Sequence, residues 1–435
     1  MVQDRIGSGD TSSYEVSFDR LSAFHLSGVI DSVPDLRDLR RLLEVLSGAR
    51  MPGPEEAARL EDLMSTGRLS SNMAQALRSS SSPEQARRTA RNLLEEALVT
   101  TARELLQHPT VARLESAWRG LHWLKEHCPA SAGLELEVLD VEPSSLVETL
   151  TRCLDVSPLE RPDACFLLDA SDDVDTLHQL AELGEQASLP MVVTIPLSFL
   201  GEGQQPANEQ EARAREAWRR LRAEESSRWL CAALNPVVMW AEHQGELRRQ
   251  CFASPALAVA AMLSASFRDT RTFGRLAGPG SGTRSPAVWQ PQGSSTVGTE
   301  ACLSLREQER LAAQGLLAVS GWWDSNAVLL SAAPTVYGGR DATRLPGQLL
   351  TGRLVRLAQE LAERMPPGAS PEAISAAFSR AAEAFLPTGS GKDCQLQARV
   401  VSTGNRERGV QVRASLRPEL AGTQVQLAFT LPLPG

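Results

Sequence analysis

The stretch "DACFLLDASDDVDTLHQLAELGEQASLPMVVTIPLSFL" (residues 163–200) holds two apolar runs on either side of a helical pattern. Residues 163–170 and 190–200 are apolar almost throughout, and apolar residues in the intervening segment recur every three or four positions. Strands that are apolar on both faces are typical of a parallel sheet covered by helices on each side. The stretch therefore predicts two strands of a covered sheet with a helix between them.

The alternation of strands and helices continues on both sides of this stretch. Upstream, "GLELEVLDV" (residues 133–141) alternates as a half-buried strand and "SSLVETLTRCL" (residues 144–154) is helical. Downstream, the chain ends with three alternating runs between residues 394 and 433. The predicted fold class is α/β: a mixed, partly parallel sheet flanked by helices, with helical N-terminal segments and a C-terminal antiparallel β-meander.

The N-terminal part reads as helical. In "VPDLRDLRRLLEVL" (residues 33–46) apolar residues fall on one helical stripe opposite aspartates and arginines. Chain breakers and changes in composition predict five regions. They are a strand and helix (1–46), a helical, serine-rich linker (47–85), an α/β domain (86–273), a Gly/Ser/Pro loop (274–298) and a second α/β domain with the terminal strands (299–435).

Composition and charge argue against several classes of function. The net charge is -9 and no run is rich in lysine or arginine, so no nucleic-acid partner is expected. The seven cysteines form no C-x-x-C pair, which argues against a zinc ribbon or a thioredoxin-type site. The N-terminus has no signal-peptide pattern, and no apolar run reaches the roughly 20 residues that cross a bilayer. We expect a cytoplasmic protein without direct membrane insertion.

Two glycine-rich stretches resemble nucleotide-binding loops only superficially. In "PTGSGKD" (residues 387–393), Leu386 stands where a phosphate-binding loop needs glycine, and Asp393 stands where it needs serine or threonine. "GPGSGT" (residues 278–283) lies in the polar loop and not between a strand and a helix. We therefore predict no catalytic residue, no cofactor and no metal site.

One acidic cluster keeps an enzymatic alternative open. "DASDD" (residues 169–173) ends a predicted strand, where many α/β enzymes place their active sites. No partner motif accompanies Asp169, Asp172 and Asp173, so a solvated turn is the favoured interpretation. An α/β enzyme with a ligand crevice near these residues remains the alternative of a different class.

The most distinctive helix is "TVARLESAWRGLHWLKEHC" (residues 110–128). Its spacing predicts that Trp118 lies on a buried face and fills the interface between this helix and the sheet, so that Trp118→Ala costs about 3–5 kcal/mol. His122, His127 and Cys128 match no zinc spacing. The predicted structural core of this helix is Trp118, Arg119, Gly120, Leu121 and His122.

Several segments resemble the large contractile-sheath subunit of bacterial type VI secretion systems, the TssC/VipB family. "LLQHPTVARLESAWRGLHWL" (residues 105–124) is similar to that family's W-R-G-L helix without gaps, and the similarity continues in order over roughly residues 86–435. Residues 16–46, "VSFDRLSAFHLSGVIDSVPDLRDLRRLLEVL", resemble the small sheath subunit (TssB/VipA). The chain departs from the large-subunit pattern at residues 353–356, which read "RLVR", and in several shortened loops.

The resemblance implies a structural function without enzymatic activity. Sheath subunits polymerise into a tube whose contraction drives an inner spike outward. The implied partners are sheath subunits (further copies and/or a small subunit), the inner tube protein, the baseplate and an AAA+ unfoldase. A sheath-derived accessory or baseplate-associated protein that forms no tube is the alternative within this class.

Two surfaces are predicted to make the assembly contacts. Residues 395–430, together with residues 12–18, are expected to supply strands shared with neighbours, because main-chain pairing holds subunits together while they reorient. A sheet closed within the chain is the alternative. The helix in residues 35–46 is the second surface, unless it packs on its own chain. The predicted interface residues are Phe18, Phe24, Leu36, Leu39, Leu43, Val400, Val412, Leu416, Val425, Leu427 and Phe429.

Overall fold

The computed structural model divides the chain into two compact units, residues 1–119 and 120–435. Each unit is described by itself. The structure describes residues 2–3, 11–12, 16–48, 83–199, 208–244, 247–278, 280–291, 295–366, 368–385, 395–402, 408–416 and 425–433. Residues 49–82 of the predicted linker (47–85) and the glycine-rich stretch at residues 387–393 lie outside them.

The first unit is built from helices, as predicted. Two short strands, β1 (Val2–Gln3) and β2 (Thr11–Ser12), pair antiparallel. The helices are α1 (Leu26–Ser32), α2 (Pro34–Leu46), α3 (Pro83–Gln107) and the first part of α4 (Pro109–His127), which continues into the second unit. Apolar residues of α1, α2 and α3 form one core.

The strand expected at residues 12–18 is only partly present. Strand β2 ends at Ser12, residues 13–15 lie outside the description, and Val16 to Phe18 are irregular. Phe18 stacks on Phe24 with ring centroids 4.3 Å apart, and Val16 packs against the same core. Packing against the helices takes the place of strand pairing, so the prediction is wrong for residues 16–18.

A six-stranded mixed sheet organises the second unit. Its strands are β3 (Cys165–Ala170), β4 (Met191–Thr194), β5 (Leu230–Leu234), β8 (Thr283–Arg284), β9 (Leu316–Gly321) and β10 (Ala327–Leu330), in the order β3-β4-β5-β9-β10-β8. The first four strands run parallel and the last two pairings are antiparallel. The prediction of a partly parallel sheet is confirmed.

Helices cover both faces of this sheet, and apolar clusters fill the space between them. The helices are α5 (Leu146–Leu154), α6 (Val174–Ala187), α7 (Glu209–Leu221), α8 (Pro255–Thr270), α9 (Leu305–Ala313), α10 (Leu345–Glu363) and α11 (Pro371–Phe385). Every residue of β4 and β5 is buried, which explains why these strands read as unbroken apolar runs. No helix in the described part of the chain is long and apolar enough to span a membrane.

Two smaller antiparallel sheets complete the second unit. Strands β6 (Val237–Gln244) and β7 (Leu247–Ala253) form a hairpin, and β11 (Gln395–Ser402), β12 (Arg408–Leu416) and β13 (Val425–Pro432) form the terminal sheet. The terminal sheet has the order β11-β12-β13. The predicted C-terminal meander is therefore confirmed.

The strand predicted at residues 133–141 is not formed. No described strand pairs with this segment, and residues 135–140 are exposed throughout. The alternating sequence suits a strand, but β-structure also requires a hydrogen-bonded neighbour, and the sheet ends at β3. The sheet therefore has one strand fewer on this side than the sequence predicted.

A buried arginine ties α10 to the loop that leads into β3. Arg356 is 3% exposed and donates to the carbonyl oxygens of Arg161 (2.7 Å) and Pro162 (2.8 Å) and to Oδ1 of Asp163 (2.8 Å). Burial lowers the pKa of Arg356, and the charge of Asp163 opposes that shift. One guanidinium thus satisfies three acceptors at once.

We expect Arg356→Ala to lower the free energy of unfolding by about 1–3 kcal/mol, because it leaves the carbonyls of Arg161 and Pro162 without their donor, whereas Asp163 keeps Arg353 at 3.4 Å. Arg356→Lys should recover only part of the loss, since an ammonium cannot reproduce the planar fork of donors. Urea unfolding measures both changes. Arg306→Ala, at an exposed arginine of α9, is the control. Equal stability of the alanine variant and the control would contradict this role for Arg356.

Candidate assembly surfaces

The terminal sheet presents two outer strands around a buried centre. Strand β12 pairs along its whole length with β11 on one side and with β13 on the other. The outer edges of β11 and β13 meet no further strand among the described residues. These edges place unpaired main-chain groups where another strand can add to the sheet.

Burial in this sheet decreases from the centre outwards. Val410 and Val412 of β12 are fully buried against Ile374 and Phe378 of α11, whereas Val400 of β11 and Phe429 of β13 are only half-buried. Val400 and Phe429 thus stand on the two outer strands with part of each side chain exposed. The side chains of Leu416, Val425 and Leu427 lie outside the description.

The opposite face of the terminal sheet is polar and carries positive charge. Gln397 lies opposite Arg413 and Arg399 lies opposite Gln411, and both arginines are exposed. The described side chains on this face are those of Gln397, Arg399, Val401, Gln411, Arg413, Ser415, Gln426, Ala428, Thr430 and Pro432, and none of these is acidic.

The second predicted surface, on helix α2, is already covered within the first unit. Phe24, Leu36 and Leu39 are 1%, 0% and 4% exposed, and they pack in the core shared with α1 and α3. Phe18 and Leu43 are half-buried against the same core. The chain buries this apolar stripe itself, which favours the alternative that the helix packs on its own chain, and the contact with a neighbouring subunit stays a prediction.

Trp118 is not a core residue. Its side chain is 55% exposed and Leu114 is 40% exposed, whereas Glu115 is buried with its carboxylate 2.7 Å from Nε of Arg119. The prediction that Trp118 is buried is wrong, whereas Arg119, predicted in the same core, is largely buried. The Glu115–Arg119 ion pair takes the inner face of this part of α4, and Trp118 lies toward solvent.

The core tryptophan of α4 is Trp123. It is 4% exposed, and its indole N–H donates to the carbonyl of Arg284 at 3.2 Å. Gly120 lies on the same face, where an added Cβ would stand 2.4 Å from Cδ1 of Leu257 and 2.9 Å from Cβ of Ala253. Leu121 is half-buried against the same core. Glycine is therefore required for the close approach of α4 to α8.

The histidines of α4 have structural or solvent-facing positions. His127 contacts the Trp123 carbonyl through Nδ1 (2.9 Å) and the Thr283 hydroxyl through Nε2 (3.0 Å). His122 is exposed, with Nδ1 3.8 Å from Glu126. Cys128 lies 3.0 Å from the Ser264 hydroxyl. Within the described residues no group of His, Cys, Asp or Glu side chains is arranged to hold a metal ion.

In the acidic cluster at the end of β3, Asp173 caps the N-terminus of helix α6. The Asp173 carboxylate accepts from the backbone N–H groups of Asp175 and Thr176, at 3.3 Å each, and from the Thr176 hydroxyl. These hydrogen bonds, that of the hydroxyl first, lower the pKa of Asp173. An N-cap at the start of α6 needs this residue type. Asp169 and Asp172 are exposed beside it.

Two features of the surface escaped the sequence analysis. Trp322 and Trp323, between β9 and β10, are 63% and 64% exposed. A groove lined by His178, Glu216 and Glu224 separates α6 from α7, and the His178 ring lies 2.5 Å from Glu224. The adjacent "WW" beside a turn could have indicated the exposed tryptophans. The groove could not be predicted from the sequence, because the packing of two helices forms it.

Comparison with known proteins supports the large-subunit resemblance over one part of the chain. Residues 90–159 match a family described as VipB: EvpB/VC_A0108, tail sheath N-terminal domain. The type VI secretion system sheath protein TssC1 of Pseudomonas aeruginosa is 24% identical over 278 residues, covering 52% of this chain and 56% of that protein. The chain thus spans little more than half the length of this curated relative. The similarity of residues 16–46 to the small subunit stays a prediction.

Two solved structures show weaker likeness. The sheath tail protein from Desulfitobacterium hafniense is 10% identical with a TM-score of 0.38, covering 68% of this chain and 61% of that chain. The contracted helical sheath of the anti-feeding prophage is 11% identical with a TM-score of 0.37, covering 68% and 73%. Because both TM-scores are below 0.5, the description of the fold rests on this chain's own strand order and not on these two structures.

The two tryptophans of α4 should differ sharply in their contribution to stability. We expect Trp123→Ala to cost about 3–5 kcal/mol because it empties a core site and removes an indole hydrogen bond. Trp118→Ala should change the free energy of unfolding by no more than about 0.5 kcal/mol. Urea unfolding followed by far-UV circular dichroism measures both variants. A larger loss for Trp118→Ala would restore the sequence-based interpretation of this helix.

Proposed function

We propose that this chain is a structural, sheath-type assembly protein of a bacterial type VI secretion or related contractile injection machine. The observation that carries the proposal is the terminal three-stranded sheet with its two open edges, on a chain whose residues 90–159 match the tail sheath N-terminal domain. The curated relative is a type VI sheath protein, which supports the same class of function.

The assembly contacts proposed here are main-chain ladders. A strand that adds to β11 or β13 gains hydrogen bonds along its length, and these do not depend on one arrangement of side chains. Subunits joined in this way can reorient about the connecting segments without losing the contact. We assign Val400, Val412 and Phe429 to the sheet that accepts such strands, and propose the same for Leu416, Val425 and Leu427.

The remaining partners follow from the resemblance. We propose further copies of the chain, a small sheath subunit and the baseplate as direct partners. We propose the inner tube protein and an AAA+ unfoldase for the complete machine, which would operate from the cytoplasm. Residues 16–46 are proposed to stand in for part of a small subunit, and their burial on α3 is the packing that such a fusion would produce. The five-region organisation outlined from the sequence is retained within this proposal.

We propose no enzymatic role. Asp173, one of the three aspartates that kept the alternative open, is engaged as a helix cap, and burial raises the pKa of the Cys165 thiol to about 11. Such a thiol is a poor nucleophile at neutral pH. The accessory or baseplate-associated role within the same class is the remaining competitor, and assembly experiments separate the two.

Negative-stain microscopy of the full-length protein, alone and mixed with a small sheath subunit, tests the proposal. We expect tubes or cogwheel-shaped cross-sections, because open strand edges recruit neighbours. Trp118→Ala is a matched surface control that should leave assembly unchanged. Monodisperse particles under both conditions would contradict the polymerising function and favour the accessory role.

A further inference from the structure

The segment at residues 134–141 is non-helical, and no strand pairs with it among the described residues. Leu136, Val138 and Leu139 are 43%, 61% and 53% exposed. Side chains of an extended chain alternate between two sides, so Leu134, Leu136 and Val138 share one side, and Glu135 and Glu137 lie on the other. Paired as a strand, residues 134–138 would thus be apolar on one side and acidic on the other, whereas Leu139 and Asp140 do not follow this division.

The terminal sheet has the complementary form. Its apolar face continues outward to Ala398 and Val400 of β11, and both are only half-buried. Its other face carries the exposed Arg399 and Arg413, and no acidic side chain is described there. A strand placed beside β11 would therefore meet apolar side chains on one side and cations on the other.

The charge distribution selects one of the two open edges. Arg399 belongs to β11 itself, and Arg413 lies opposite Gln397 of the same strand. The described side chains on the polar face of β13 are Gln426, Ala428, Thr430 and Pro432, which carry no charge. Cross-strand neighbours stand about 4.5–5.5 Å apart, close enough for opposite charges to stabilise a pairing. The outer edge of β11 therefore suits an acidic strand better than the edge of β13.

We propose that residues 134–138 of one copy add as a strand to the outer edge of β11 in a second copy. Glu137 then faces Arg399 and Glu135 faces Gln397, with Arg413 one strand further away on β12. Leu136 and Val138 extend the apolar face beside Ala398 and Val400. This inference rests on the proposed function, and it names the strand that occupies one of the open edges.

The geometry of such a contact leads to assembly. The donor strand and the acceptor edge are different surfaces of one chain, so after one pairing the donating copy still has a free edge and the accepting copy still has a free donor strand. A contact of this heterologous kind repeats from copy to copy and produces a ring or a helical filament. Because the acidic segment and the basic edge belong to the same chain, a second copy of the chain can supply the strand that pairs with β11.

Charge reversal in full-length protein tests the proposal. Glu137→Arg and Arg399→Glu should each weaken self-association about ten-fold in sedimentation velocity, because each puts like charges across the new pairing. An equimolar mixture of the two variants should regain wild-type association, since every contact in an alternating assembly then joins opposite charges. Glu309→Arg, an exposed site on α9, is the matched control and should leave association unchanged.

A second variant tests the proposed strand pairing without changing the charge of the segment. Val138→Pro deletes a main-chain donor in an exposed, non-helical segment, so it should abolish self-association without changing the melting temperature. Rescue by the double variant E137R/R399E without rescue by the mixture would show that the segment docks within its own chain, which overturns the proposal.

The failure of this inference and that of the proposed function are distinguishable. Wild-type tubes that persist in both charge variants and in Val138→Pro would overturn the inference and leave the sheath function intact. A wild-type protein that stays monomeric alone but assembles with a small subunit would also overturn it. Absence of assembly under every condition would count against both.

Discussion

A strand at the edge of a sheet needs a hydrogen-bonding partner, and the account of this chain depends on that constraint. The terminal sheet satisfies it fully only for β12, which is paired on both sides and buried. Strands β11 and β13 each have one neighbour. Such edges favour the addition of further strands, and in a natural protein they are either protected or used. In the function proposed above, they are used.

The rest of the second unit holds this sheet in place. The terminal sheet packs on α11, and Ala358 of α10 enters the same apolar cluster. Helix α10 in turn is tied to the loop before β3 by the buried Arg356. The rigid part of the unit thus presents the edges at a defined position. This division between a fixed core and available edges suits the proposed contractile function, in which subunits must move without unfolding.

The periodicity of apolar residues predicted the core of the fold, but it did not predict for every helix which face points inward. Strands β4 and β5 could be predicted because strands that are buried on both faces are apolar almost throughout. Helix α4 is apolar on more than one side, so spacing alone did not distinguish Trp118 from Trp123. The buried Glu115–Arg119 pair decided the matter, and a charged residue in the interior is what sequence patterns predict least well. The strand predicted at residues 133–141 is absent for a different reason. A strand needs a hydrogen-bonded neighbour, and an alternating sequence indicates only that the segment could form one.

The most direct test of the central claim is hydrogen–deuterium exchange along the terminal sheet, in the dispersed protein and in its assembled form. We predict that amides of β12 are protected in both states, whereas those of β11 and β13 whose N–H groups point outward become protected only on assembly. Equal protection of all three strands in the dispersed protein, with no change on assembly, would show that these edges do not join subunits.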